Sequence, residues 1–231
     1  MNIVLIMNQN SYVGREYLSC LRDNDIKIDV CSIGDFPKID PIAHESCNNE
    51  WLPESQSSLE SFHKFYDFES LKSIVFLNFL KKKQYKIGIQ GGTGIINKDI
   101  LSEFKLGILN FHPGLLPEYR GCSAPEWQLL EGNKIYSTCH FIDDGIDTGD
   151  IIKSKELQVN NQNYYKFRGS IYPLTSLFMV EIIKEFIVYN GLKEKAIKQN
   201  EKHARYRKFI GKDKIKYIKD NWSNFEKVLN Y

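Results

Sequence analysis

The sequence lacks most of the features that mark a specialised class of protein. Its five cysteines form no C-x-x-C pair and are odd in number, so we expect no disulfide framework and a reducing cytoplasm as the compartment. No apolar run approaches the ~20 residues of a membrane-spanning helix. The opening residues MNIVLIM have no charged lead and no small-residue cleavage site, so we interpret them as mature protein.

The balance of charges and the glycine pattern argue against several classes of ligand. Lys and Arg number 31 against 29 Asp and Glu, a balance that by itself predicts no binding to nucleic acid or membrane. The glycines at 91, 92 and 94 do not complete a G-x-G-x-x-G fingerprint, because Asn97 stands at its last position. A Walker loop is also missing. The sequence therefore argues against NAD and ATP as ligands.

The apolar pattern predicts alternating strands and helices. Residues 2–7 and 27–32 resemble strands around a helix at 13–22, and such a βαβ opening favours a parallel sheet. Further strands are expected at 85–90, 107–111, 136–142 and 150–157, with helices at 69–83, 97–104, 125–132 and 172–190. The predicted fold class is α/β, a Rossmann-like, mostly parallel sheet with flanking helices and a short C-terminal extension.

Several segments need separate treatment. The helix expected at 69–83 is indicated by Leu71, Ile74, Val75, Asn78 and Phe79, which share one side at helical spacing. Residues 34–58 look irregular and contain three prolines. Residues 193–216 carry ten Lys and Arg against three acids. This basic strip suits phosphates or nucleic acid, but such runs are more often solvated faces. We divide the chain into a main domain at 1–190 and an extension at 191–231.

A polar pair ends the strand expected at 107–111. Asn110 and His112 are two residues apart, so their side chains share one face of the strand. Ligands of parallel α/β sheets bind at the carboxyl ends of the strands, which aims both side chains at the expected site. A lone histidine in such a place is more often structural than catalytic.

A glycine-punctuated acidic turn, DDGIDTGD at 143–150, follows the strand at 136–142. Its spacing does not match a calcium loop, and no metal site is expected. Its carboxylates either cap backbone amides of the turn or supply one side chain to the site. An amide, an imidazole and a carboxylate together suit acyl transfer to an amine. The first two can stabilise an oxyanion, and the carboxylate can hold the imidazole charged and accept the proton of the amine.

Together these motifs resemble the folate-dependent formyltransferases, whose formyl donor is N10-formyltetrahydrofolate. The matching segments are Asn110-x-His112-Pro113-x-Leu115-Leu116-Pro117, Tyr119-Arg120-Gly121, His140 and Ile146-Asp147-Thr148-Gly149. The match is good over residues 85–155 and weaker over 1–84. The resemblance implies that Asn110, His112 and Asp147 are catalytic. Asp147 is chosen among the four acids because it stands seven residues after His140, as the aspartate of the family does.

The resemblance also implies where the ligands bind. The pterin of the folate would lie against the backbone of Gly94, Ile95 and Ile96, against Leu101 as an apolar wall, and against the turn with Ile142 and Asp143. Tyr119 and Arg120 would bind the acceptor substrate, Arg120 through phosphates. One departure from some relatives is Gly114, where serine is common.

Within the family, the sequence favours the enzymes that act on sugar nucleotides. A glycinamide ribonucleotide formyltransferase carries a phosphate-binding loop that residues 8–14 match poorly, and a methionyl-tRNA formyltransferase carries a C-terminal barrel for which residues 191–231 are too few. We expect a cytoplasmic homodimer that formylates the 3- or 4-amine of a dTDP-linked amino sugar for O-antigen or lipopolysaccharide synthesis, without nucleic acid or membrane as partner. The alternatives are the purine enzyme and a non-catalytic protein that binds folate or nucleotide.

Overall fold

The structure, a computed structural model, describes residues 2–34, 47–160, 162–189 and 196–229. Its strands are β1 (Ile3–Asn8), β2 (Asp29–Ile33), β3 (Lys64–Phe68), β4 (Ile87–Gly91), β5 (Gly107–His112), β6 (Arg120–Gly121), β7 (Tyr136–Phe141), β8 (Ile151–Glu156) and β9 (Tyr206–Arg207). Seven of them form the main sheet in the order β3-β2-β1-β4-β5-β7-β8. β1 to β5 pair in parallel, and β7 and β8 continue the sheet antiparallel. The predicted fold class is confirmed.

Helices cover both faces of this sheet. They are α1 (Tyr12–Asp23), α2 (Gln56–Glu60), α3 (Ile74–Lys83), α4 (Lys98–Leu101), α5 (Ala124–Leu130), α6 (Tyr164–Tyr189), α7 (Lys212–Asp220) and α8 (Trp222–Leu229). Leu5 of β1 packs in one apolar core with α1 and α6, and its neighbour Ile6 packs in a second core with α3 and α4. A central strand with both faces buried explains the nearly unbroken apolar run at the start of the chain.

The structure corrects the prediction for residues 69–83. The helix begins only at Ile74, after Ser73, whose hydroxyl accepts a hydrogen bond from the Val75 amide. Its buried residues are Phe76 and Leu80, whereas Ile74 and Val75 are 65% and 64% exposed. Ile74 and Val75 therefore do not belong to the buried side of the helix. Phe76 packs against the ring of Phe68 on β3, a half-buried edge strand absent from the prediction.

Two further boundaries also differ. The long helix starts at Tyr164 rather than 172, since Pro173 lies inside it and does not end it. Part of the region predicted to be irregular, at 35–46, lies outside the described residues, as does the predicted domain boundary at 190 and 191.

The C-terminal extension packs onto the rest of the chain. β9 pairs in parallel with β6 in a separate two-stranded sheet. Ile218 of α7 and Phe225 of α8 share an apolar cluster with Leu129 of α5 and Phe167 of α6. The described residues of the extension therefore contribute to a shared core. In the described ranges, no helix combines the length and apolar character that crossing a bilayer requires.

Candidate active site

The carboxyl end of β5 carries two of the predicted catalytic residues. Asn110 and His112 share one face of the strand, as their spacing predicts. β7 runs antiparallel beside β5, with Asn110 opposite His140 and His112 opposite Thr138. Asn110 Nδ2 lies 3.1 Å from His140 Nε2. In the sequence analysis, His140 is part of the family motif and serves to identify Asp147. The strand register places it in the site.

Asp147 joins these residues from the loop after β7. Its Oδ2 lies 3.5 Å from His112 Nδ1 and accepts a 2.8 Å hydrogen bond from the Gly121 amide. Its Oδ1 lies 3.5 Å from Asn110 Nδ2 and 3.6 Å from His140 Nε2. The structure thus brings all three predicted catalytic residues together around one carboxylate.

The other acids of the turn serve its local structure. Asp143 accepts hydrogen bonds from the Gly145 amide and the Thr148 hydroxyl, as expected of a carboxylate that caps a turn. Asp144 pairs with Lys98. Both interpretations left open by the sequence therefore apply, because Asp143 caps the turn while Asp147 enters the site. No cluster of three metal-ligating side chains occurs among the residues that the structure describes.

The proton positions follow from the partners of the two histidines. His112 Nε2 lies 2.6 Å from the Tyr119 carbonyl and His140 Nδ1 lies 2.8 Å from the Phe141 carbonyl. A carbonyl only accepts, so both of these nitrogens carry a proton. The second nitrogen of each ring faces the catalytic group, since His140 Nε2 lies against the Asn110 amide and His112 Nδ1 lies against Asp147.

Burial and charge set the ionisation of the pair. Burial lowers the pKa of His112 below its ordinary 6.5, although the charge of Asp147 and the Tyr119 carbonyl oppose this. Burial favours the neutral form of Asp147, but its contacts with His140, His112 and the Gly121 amide outweigh this effect and lower its pKa to about 2. Burial thus opposes a positive charge on His112, whereas the ionised carboxylate of Asp147 favours it. The charged His112 expected from the sequence stays a prediction.

A cavity of about 250 Å³ opens beside this group. It is lined by Gln90, Gly94, Ile95, Ile96, Asn110, His140 and the turn from Ile142 to Asp147. Ile95 and Ile146 are apolar yet 85% and 49% exposed, which suits a flat ring system laid between them. Backbone groups of both segments can bond the polar edge of such a ring. The lining therefore fits the pterin of a folate, with Asn110 at its inner end.

Most of the predicted folate contacts line this cavity. Gly94, Ile95, Ile96, Ile142 and Asp143 are all part of it. Leu101 is not part of this lining. It packs against the same apolar cluster as Ile142, and its predicted contact with the folate stays a prediction.

The two residues predicted to bind the acceptor have different environments. Tyr119 lines a second cavity of about 520 Å³, and its hydroxyl donates a 2.8 Å hydrogen bond to Glu131. Burial and this carboxylate raise the pKa of Tyr119 to about 12. Arg120 is only 6% exposed, and its guanidinium donates to Gln199 and Glu201. These contacts hold the guanidinium against the extension, and the phosphate contact predicted for Arg120 stays a prediction.

Two features of the site were missed or left unexplained by the sequence. Gln199 donates hydrogen bonds to the carbonyls of Asp147 and Gly149, at 2.9 and 2.8 Å. No local pattern marks a glutamine inside a basic strip as a contact of a loop 52 residues away. Gly114 packs tightly, since a Cβ there would lie 2.8 Å from His112 Nε2 and 2.7 Å from the Ala124 Cβ.

The carboxyl end of the sheet thus brings together an amide, two imidazoles and a carboxylate. Residues 90–166 match the family model described as formyl transferase, so this part of the chain is similar to the folate-dependent formyltransferases. This match contains Asn110, His112, His140 and Asp147.

Relatives with curated names include several methionyl-tRNA formyltransferases and a cytosolic 10-formyltetrahydrofolate dehydrogenase of Xenopus tropicalis. The enzyme of Thermodesulfovibrio yellowstonii is 38% identical over 97 residues, which is 41% of this chain and 32% of that protein. The chain spans less than half the length of the first such relatives that it matches.

Solved structures with this fold include two enzymes described with sugar nucleotides. The N-formyltransferase of Helicobacter canadensis, in complex with folinic acid and dTDP-3-aminofucose, aligns with a TM-score of 0.62 and 18% identity, over 88% of this chain and 70% of that one. The formyltransferase PseJ of Anoxybacillus kamchatkensis, in complex with UDP-4,6-dideoxy-4-formamido-L-AltNAc and tetrahydrofolate, aligns with a TM-score of 0.53 and 26% identity. That alignment covers 88% of this chain and 97% of PseJ.

Proposed function

We propose that the protein transfers a formyl group from N10-formyltetrahydrofolate to the amine of a nucleotide-linked amino sugar. The observation that carries the proposal is that Asn110 and Asp147 contact each other and line a cavity that fits a pterin, while His112 contacts Asp147. An amide, a neutral imidazole and a carboxylate are the groups that amine acylation needs.

The donor supplies an activated formyl carbon, whose bond to N10 breaks as the new carbon–nitrogen bond to the amine forms. Asn110 is placed to stabilise the negative charge that develops on the formyl oxygen, because His140 fixes its amide through a 3.1 Å contact. Each such donor is worth about 10²–10³ in rate where it has been removed from other acyl-transfer sites.

His112 and Asp147 together receive the proton. The Nδ1 lone pair of the neutral ring lies beside the carboxylate, and the proton that the amine loses passes to this pair while N10 gains one. Asp147 then stabilises the imidazolium. Burial favours the neutral ring that a proton acceptor requires, and the charge of Asp147 favours the imidazolium that follows the proton transfer.

The second cavity supports an anionic acceptor. Its lining includes four cations, Lys134, Lys202, Arg205 and Arg207, and two acids, Glu118 and Glu131. Lys134 and Arg207 have carboxylate partners, whereas no acid of the described ranges pairs with Lys202 or Arg205. Tyr119 connects this cavity to the site, since its ring lines the cavity and its carbonyl accepts from His112. A nucleoside diphosphate complements such a lining.

The acceptor class also rests on the comparison with PseJ, whose complex contains a UDP-linked 4-formamido sugar. The sequence predicts dTDP, whereas PseJ favours UDP, and both nucleotides belong in the test. A second candidate function, formylation of methionyl-tRNA, is favoured by the curated relatives.

The test is an acceptor panel. Purified protein is incubated with N10-formyltetrahydrofolate and with dTDP- and UDP-linked 3- and 4-amino sugars, glycinamide ribonucleotide or methionyl-tRNA, and tetrahydrofolate release and acceptor mass are followed together. Formylation of a sugar nucleotide, lost in Asp147→Asn, supports the proposal. Formylation of only the ribonucleotide or the tRNA rejects the acceptor, and folate binding without any transfer favours a binding protein.

A further inference from the structure

Asp147 is the one proposed catalytic residue that no regular element holds. It lies between β7 and β8 with a φ of +55°, in the left-handed region that residues with a Cβ rarely adopt. Such a conformation persists where the surroundings fix it. The contacts that fix it are therefore part of what aims the carboxylate at His112.

These contacts come from the C-terminal extension. Gln199 Nε2 donates to the carbonyls of Asp147 and Gly149, at 2.9 and 2.8 Å, and so bridges the two sides of the turn. Gln199 Oε1 accepts from Nε and Nη2 of Arg120, at 3.0 and 2.8 Å. Both amide protons and both lone pairs of Gln199 are thereby used. A side chain saturated in this way has a fixed orientation.

Arg120 closes the arrangement on its other side. Its Nη1 and Nη2 donate to the two carboxylate oxygens of Glu201, at 3.1 and 2.7 Å. Gly121, the next residue, donates its amide to Asp147 Oδ2 at 2.8 Å. Arg120 and Gly121 form β6, which pairs with β9 of the extension. The backbone and the side chain of Asp147 are therefore both positioned by groups attached to residues 199–207.

We infer that Gln199, held by Arg120, is a positioning residue that sets the catalytic geometry of Asp147. This inference rests on the proposed function. It gives a residue of the basic strip at 193–216 a role that does not depend on nucleic acid. Gln199 touches neither the pterin cavity nor the second cavity, so it acts through Asp147 alone.

The decisive variant is Gln199→Glu. Glutamate keeps the shape of the side chain and forms an ion pair with Arg120, but it removes the two donated protons and faces the carbonyls of Asp147 and Gly149 with an oxygen. We expect Gln199→Glu to fold normally and to lose about ten- to hundredfold in kcat, since small displacements of catalytic groups have effects of this size. KM for the folate donor should change less than kcat.

The pH profile separates positioning from structure. The groups that face His112 are Asp147, His140 and the Tyr119 carbonyl. A carboxylate that moves away raises the pKa of His112 less, so the acidic limb of kcat/KM should shift to lower pH in Gln199→Glu and Gln199→Ala. A purely structural role would lower the folded fraction and leave this limb in place.

Gln158→Ala is the matched control, because Gln158 is an exposed glutamine whose side chain donates to Glu156, its one side-chain partner among the described residues. Wild-type kcat and pH profile in a folded Gln199→Glu variant would overturn the inference. Hydrogen exchange of residues 142–150, measured with and without 5-formyltetrahydrofolate, needs no turnover. If the wild type is inactive and exchange is faster in Gln199→Glu, the proposed function is rejected and the positioning role of Gln199 is retained. Unchanged exchange would reject the positioning role.

Discussion

The two sides of the candidate site are held in different ways. Asn110 and His112 belong to β5, which is hydrogen-bonded to β4 on one side and to β7 on the other. Asp147 belongs to a turn, with a left-handed backbone and partners that lie far away in sequence. The first side is fixed by the sheet, and the second is fixed by a few polar contacts.

The two sides therefore contribute differently to the reaction. The strand supplies an oxyanion donor and an imidazole whose positions tolerate changes elsewhere in the chain. The turn supplies the carboxylate on which the proton transfer depends, at a place where the loss of one hydrogen bond can move it. The largest effects of mutation are therefore expected at the carboxylate and the smallest in the apolar core of the extension.

Removal of the charge of Asp147 should have the largest effect. Asp147→Asn keeps an oxygen for the Gly121 amide but provides no negative charge for the imidazolium that forms on His112. We expect kcat to fall by about 10³-fold or more, given the usual size of acid–base and electrostatic contributions. Steady-state kinetics of the formyl transfer measures it.

The control for this variant is its stability. Circular dichroism and thermal unfolding should show a folded protein that still binds 5-formyltetrahydrofolate, since Asn110 and the apolar rim of the cavity are unchanged. Near-wild-type turnover in folded Asp147→Asn would remove Asp147 from the mechanism.

The same contrast governs what could be predicted from the sequence. Period two places Asn110 and His112 on one face whatever the rest of the chain does, so the β5 side follows from local rules. The choice of Asp147 among four acids needed a family motif, and its support by Gln199 depends on a contact 52 residues away. The exposure of Ile74 and Val75 has a related reason, because helical spacing shows which residues share a side of α3 and not which side packs against an edge strand that was not predicted.

Gly114→Ser tests whether the position of His112 at the end of β5 is rigid. Serine is common at this position in the family, yet a Cβ here would meet His112 Nε2 at 2.8 Å and the Ala124 Cβ at 2.7 Å. We expect a loss of about ten- to hundredfold in kcat through displacement of His112, with a destabilisation of about 1–3 kcal/mol from overpacking. Kinetics together with urea unfolding separates the two effects. Unchanged kcat would mean that the loop after β5 relaxes freely.

The pH dependence tests which member of the pair accepts the proton. His112 must be neutral, and burial keeps its pKa below 6.5, so kcat/KM should rise with pH through that value and level off above it. The fall below the pKa is about tenfold per pH unit for a single essential group. In Asp147→Asn the limb should move to lower pH, because the carboxylate that raises the pKa of His112 is gone. A limb that moves to higher pH would contradict this assignment.

Ile218→Ala should have the smallest effect on rate and completes the comparison. Ile218 is fully buried in the cluster that joins the extension to α5 and α6, so its truncation should destabilise the fold by about 2–5 kcal/mol. It touches none of the polar groups around Asp147, and kcat of the folded protein should stay within about twofold of wild type, since distant changes act independently. Thermal unfolding and active-site-normalised kinetics measure the two quantities. A loss of kcat as large as that of Gln199→Ala would show that the extension positions Asp147 through its packing as a whole, and the hydrogen bonds of Gln199 would then have no special role.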